Sequence, residues 1–146
     1  MEKEIYADYE IIDSHSHIFP ASIAEKATVN IGKFYDLHMD NCGSSEELIK
    51  SGNKIGTSLY LVCSVATTPH QVRSINEFPA NEVKLHPDTF IGLGAMHPES
   101  EDLEADAEQI IELGLHGVKL HPDIQNFKVD SPKALKIFEI CEKKAL

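Results

Sequence analysis

The sequence predicts an α/β fold of the TIM-barrel type, with residues 1–146 forming one domain of four parallel strands and their helices, a half or truncated (β/α)8 barrel. Two observations predict it. Short β-like runs alternate with amphipathic helical runs in the order of successive βα units, and a polar ladder ends the first apolar run, at the carboxyl end where parallel α/β sheets place their ligands.

The first strand is expected over residues 11–15, and Pro20 then opens a helix carrying Ile23, Ala24, Ala27, Ile31 and Phe34 on one face. Ser44 and Glu47 have the spacing of a capping box and start a shorter helix. A second strand follows over residues 58–64. Thr68-Pro69 suits the start of the next helix, inside which Pro79 removes a backbone donor, so a kink or break is expected near Phe78. A third strand over residues 90–96 leads to a helix striped by Leu103, Ala107, Ile110 and Ile111 and ended by Gly114. The fourth strand is expected over residues 117–121. Ser131-Pro132 then caps a last helix carrying Ala134, Ile137, Phe138 and Cys141.

Composition excludes several classes. At 42% hydrophobic and 25% charged, the chain is ordinary for a globular protein. No apolar run has membrane-spanning length and Met1-Glu2-Lys3-Glu4 is too polar for a signal peptide, so a cytoplasmic protein without a membrane partner is expected. A net charge of −11 with no basic patch argues against nucleic acid. Cys42, Cys63 and Cys141 are odd in number and have no C-x-x-C spacing, which fits reduced thiols better than a disulfide framework or a structural zinc.

The ladder is Asp13-Ser14-His15-Ser16-His17. Alternate strand residues share a face, so His15 and His17 can turn their imidazoles onto one divalent metal without relying on a mobile loop. Two polar residues at a strand exit are the competing reading. A second pattern is the hexapeptide Val-Lys-Leu-His-Pro-Asp, present at 83–88 and again at 118–123. The first copy closes a helix, where His86 is expected to be a solvated end residue. In the second, Val118 and Leu120 share the parity that faces the helices, which turns Lys119 and His121 toward the other surface near the strand's carboxyl end. These two are expected to line a site and contact substrate; the alternative for Lys119 is neutralisation by an acid such as Asp13.

Taken together, I-I-D-S-H-S-H-I-F-P, S-V-A-T-T-P-H-Q-V-R-S-I-N-E-F, G-L-G-A-M-H-P and G-V-K-L-H-P-D, each after its strand, resemble the amidohydrolase superfamily. They are most similar to its branch of metal-dependent hydrolases and decarboxylases related to aminocarboxymuconate semialdehyde decarboxylase. The resemblance runs from about Tyr9 onward. It implies a (β/α)8 barrel, a divalent metal (usually zinc) held in part by His15 and His17, and a small-molecule substrate, hydrolysed or decarboxylated. His97 and His121 match substrate contacts rather than ligands. A carboxylated Lys119 bridging two metals, a device of other branches, is a minor alternative.

Such a barrel takes about 250 residues. The chain is therefore expected to supply the N-terminal half of an enzyme, with the catalytic residues and remaining ligands in the other half, and to be inactive in isolation. Its free sheet edges are expected to recruit a second copy as a homodimer, or to drive aggregation. Two further readings stand beside this one. A phosphoesterase of the polymerase-and-histidinol-phosphatase type opens similarly, but the Ser-Asp-Gly element expected after the first strand is not in the sequence. A non-enzymatic half-barrel would retain the histidines as inherited residues.

Overall fold

The computed structural model of the chain describes residues 8–146, so Met1 to Glu4 lie outside the described residues. Four strands pair in the order β1 (Ile11–His17), β2 (Thr57–Cys63), β3 (Phe90–Ala95) and β4 (Val118–Lys119), all parallel. They form a curled half-barrel clad by α1 (Ala24–Tyr35), α2 (Ser45–Gly52), α3 (Val72–Leu85), α4 (Leu103–Glu112), the short α5 (Pro122–Gln125) and α6 (Pro132–Lys144). Among the described residues, no helix is long and apolar enough to cross a membrane.

The helix side of the sheet carries the core. Ile18, Tyr60, Val62 and Phe90 pack against Leu48, Ile49, Phe78 and Val83. A second cluster joins Met96, Ala107, Ile110, Ile137 and Ile140, with Val118 and Leu120 packed on it. Val118 and Leu120 thus take the helix side, as their parity requires. On β3 the same side is glycine: a Cβ on Gly94 would lie 2.4 Å from Ile110 Cγ1, and one on Gly92 2.5 Å from Leu115 Cδ2. These positions stay bare so that α4 and the loop after it can approach the sheet.

Helix starts follow local chemistry. Ser44, Asp102 and Ser131 accept from the backbone N–H groups of Glu47, Ala105 and Ala134, at 3.3, 3.0 and 3.3 Å. Glu47 reaches past Ser44 to take the N–H of Cys42 at 2.7 Å.

Three expectations need correction. Of the kink or break expected near Phe78, the break does not occur: α3 runs continuously through Pro79. Pro79 is fully buried, and Asn76 one turn earlier clamps Ala95 by accepting its N–H at 2.7 Å and donating to its carbonyl at 3.0 Å. Tertiary packing overrides the local penalty. His86 is half-buried, its ring edge-on to Phe90 with centroids 5.4 Å apart. Finally, α1 begins at Ala24, after a turn in which the Pro20 carbonyl accepts from Ile23 and Ala24, and it buries Ala24, Thr28 and Gly32. Of the apolar face read from the sequence, Ala24 is buried, whereas Phe34 is 54% exposed.

β4 is shorter than the sequence suggests. It pairs with β3 alone, and His121 leaves the ladder to cap α5, where Pro122 opens the first turn.

Candidate metal centre and substrate cavity

The register of β1 on β2 contains an irregularity that shapes the site. Asp13 stands opposite Tyr60 and Ser16 opposite Val62, so three steps along β1 match two along β2. The extra residue is a bulge. It places Asp13 on the side of Tyr60, while Ser16 packs on the helix side and His17 pairs with Cys63 on the inner face. Asp13 Oδ1 accepts the His15 N–H at 3.1 Å. The acid therefore supports the bulge instead of facing the imidazoles.

His15 and His17 do converge, with their Nε2 atoms 3.1 Å apart. Two nitrogens bound to one zinc at about 2.1 Å in tetrahedral geometry lie roughly 3.4 Å apart, so the pair fits two adjacent ligands. The tautomer of His17 follows from its other nitrogen. Nδ1 is 2.9 Å from the carbonyl oxygen of Cys63, which can only accept, so Nδ1 carries the proton and Nε2 is bare. Such a backbone contact fixes the ring of a metal-binding histidine. Burial lowers the His17 pKa, the Cys63 carbonyl opposes that effect, and the nearby His15, Lys119 and His121 lower it further.

Cys63 Sγ belongs to the same cluster: the possible ligand atoms of His15, His17 and Cys63 lie within 4.8 Å of one another. Its chemistry differs, however. Sγ sits 3.9 Å from His17 Nδ1, behind the ring, donates to the Ser16 carbonyl at 3.6 Å, and is pushed up in pKa by burial. In that position the thiol braces the ring from the side away from Nε2.

Lys119 extends from β4 across the inner face to place Nζ 3.2 Å from His15 Nε2. It can only donate. When His15 accepts from it, two bare imidazole lone pairs face each other, an arrangement that a cation relieves.

Beside the pair opens a cavity of about 570 Å³. His17 and His121 line it; His15 and Lys119 do not. Its walls are apolar, with Phe19, Ile23, Ile31 and Phe78 among them, so part of the apolar face of α1 borders this space. His121 is held from three sides. Its N–H donates to Gln125 Oε1 at 2.8 Å, its Nδ1 accepts from Ile124 N–H at 3.3 Å, and its Nε2 meets the Tyr35 hydroxyl at 2.6 Å. Gln125 is buried and its amide donates to the carbonyls of Ala66 and Met96, at 2.9 and 2.7 Å, tying the loops after β2, β3 and β4 together.

His97 is elsewhere. It is buried, its Nδ1 accepts from Glu99 N–H at 3.1 Å, and it does not line the cavity. Tyr35 and Gln125, by contrast, gave no signal in the sequence: a tyrosine at a helix end and a glutamine past a proline are common. Only the α5 turn brings them to His121.

No family model matches the chain. Over 97% of its length it is 26% identical to 2-amino-3-carboxymuconate-6-semialdehyde decarboxylase from Dictyostelium discoideum, of which it covers 41%. In fold it resembles 5-carboxyvanillate decarboxylase from Novosphingobium aromaticivorans, solved with bound manganese and 3-methoxy-4-hydroxy-5-nitrobenzoic acid. That match has a TM-score of 0.70 at 15% identity, covering 92% of this chain and 48% of the other. It also resembles 4-oxalomesaconate hydratase from Rhodopseudomonas palustris, with a TM-score of 0.61 at 20% identity, covering 91% and 49%. The chain spans less than half the length of each. By sequence the chain is similar to part of the D. discoideum decarboxylase, and in fold it matches about half of each of these barrels.

Proposed function

We propose that the chain carries the first metal ligands and part of the substrate cavity of a metal-dependent decarboxylase or hydrolase acting on a small carboxylated molecule. His15 and His17 hold a divalent metal, which we read as zinc; of the substrate contacts, Lys119 reaches the molecule from the metal side, beside His15, and His121 from the cavity wall. The observation that carries this reading is the 3.1 Å separation of the two Nε2 atoms, with the His17 tautomer fixed by the Cys63 carbonyl. When bound, the metal polarises a carboxylate or carbonyl, or acidifies a water. The protein's part is to keep both imidazoles neutral and aimed, and to enclose the apolar body of the substrate against α1. In this reading the remaining ligands and the proton-transferring group lie outside these 146 residues, and this chain alone does not turn over substrate.

Metal titration tests it. The chelator-treated chain is expected to bind about one zinc or manganese, with a rise in melting temperature that His15→Ala and His17→Ala abolish; no binding of either ion to the native chain would refute the reading. Manganese is included because it occupies the N. aromaticivorans decarboxylase. For partners, the reading adds a second copy at the free edges of β1 and β4, each of which pairs with one strand among the described residues.

A further inference from the structure

The hydroxyl groups lining the cavity differ in what they can still offer. Ser64 Oγ donates to the carbonyl of Ile18 at 3.4 Å, Thr67 Oγ1 to Gln71 Oε1 at 2.8 Å, and Ser74 Oγ to the carbonyl of Gln71 at 3.1 Å. Each of these protons is committed to the protein.

Tyr35 is different, because of how His121 is held. A backbone N–H can only donate, so the bond from Ile124 leaves His121 Nδ1 without a proton, and the neutral ring carries it on Nε2. That N–H points at the Tyr35 oxygen 2.6 Å away, which must accept. The phenolic proton is then directed away from His121. Among the described hydroxyls of the cavity it alone is uncommitted, at the end of an apolar space that supplies few other donors. The Ile124 N–H on Nδ1 holds the His121 ring toward Tyr35, and Gln125 anchors its backbone to two loops.

We propose that Tyr35 is a substrate-orienting residue, giving its hydroxyl proton to a carboxylate oxygen of the molecule in the cavity while His121 holds the hydroxyl in place. The inference deepens the functional reading above and rests on it for the use of the cavity. A ligand that presents a donor there gains nothing from this arrangement, so the geometry selects for an acceptor. The apolar walls take the ring or chain that carries it.

The test is calorimetric titration of the whole chain with benzoate, using toluene as a probe of the same shape without the carboxylate. Tyr35 is 44% exposed, so Tyr35→Phe removes one oxygen without disturbing the core. Benzoate is expected to bind the native chain and to bind Tyr35→Phe about tenfold or more weakly, the usual effect of losing a hydrogen bond to a charged group, with toluene unchanged. Equal benzoate affinity in the two proteins, or no binding to the native chain, overturns the proposal. The titration is run without metal, so a failure of the His15 and His17 reading appears in the metal experiment and leaves this comparison intact.

Discussion

Lys119 Nζ and His15 Nε2 lie 3.2 Å apart, so an ammonium and any metal on His15 compete for a single lone pair. The bond is across the sheet, from the last strand to the first, and it closes the polar end of the inner face. Replacing Lys119 with Met keeps the aliphatic stem and removes the charge. The variant is expected to bind zinc or manganese about tenfold more tightly than the native chain, since one nearby positive charge and one competing donor are gone. Parallel calorimetric titrations check this; equal affinities would mean that the lysine moves aside without cost.

Gln125 makes three hydrogen bonds, a half-buried one from His121 N–H and two buried ones to the carbonyls of Ala66 and Met96. Gln125→Ala strands all three backbone groups and is expected to cost about 2–4 kcal/mol, measured by urea denaturation. Gln125→Glu turns a carboxylate toward two carbonyls and is expected to be at least as harmful at neutral pH.

Gly94 tests the close approach of α4. Its added methyl would meet the branched part of Ile110 rather than a mobile tip, so Gly94→Ala is expected to destabilise by about 1–3 kcal/mol. Gly94→Ala combined with Ile110→Val should recover part of that loss in the same denaturation assay.

Asp106 supplies a pH signature. Burial raises its pKa above the ordinary 3.8, the Ser100 hydroxyl pulls it down, and Asp102 pushes it up. The folded state thus binds the proton more tightly than the unfolded chain. The stability from this group is complete below pH 3.8 and is lost as pH rises through the folded value. Asp106→Asn is expected to melt about 2 °C higher than the native chain at pH 7, with the advantage fading toward pH 3.

The free edges of β1 and β4 predict association. Light scattering across a concentration series is expected to show dimers or larger species, and substitution of Leu59 or Leu61 on the inner face by Lys should shift the chain toward monomer. A compact monomer at every concentration would show that the edges need no partner.

What could be read from the sequence depended on how local the signal was. The strand order, the caps at Ser44 and Ser131, and the parity of Lys119 against Val118 and Leu120 follow from neighbours along the chain. Asp13, offered as a neutraliser of Lys119, turns to the Tyr60 side at a bulge that exists only in relation to β2 and is invisible to alternation along β1. Pro79 suggested a break because its burial in the folded chain, which depends on distant residues, leaves no mark on its neighbours in sequence. The stripe of α1 was correctly read as apolar, yet a helix that walls a cavity and one that packs on a core have the same periodicity.

The extra residue in β1 works like a slip joint. Downstream of it, Ile18 in the core and the pairing of His17 with Cys63 fix which way the imidazoles turn; upstream, Ile12 and Asp13 are displaced by one residue until a second, opposite shift at Ile11 restores the register. Loss of one residue at Ser14 would bring Asp13 and Ser16 into even step with Tyr60 and Val62 and still leave both histidines facing inward. The displacement is confined to the residues between the two shifts, and the aim of the two rings is set by the stretch of β1 that pairs with Val62 and Cys63.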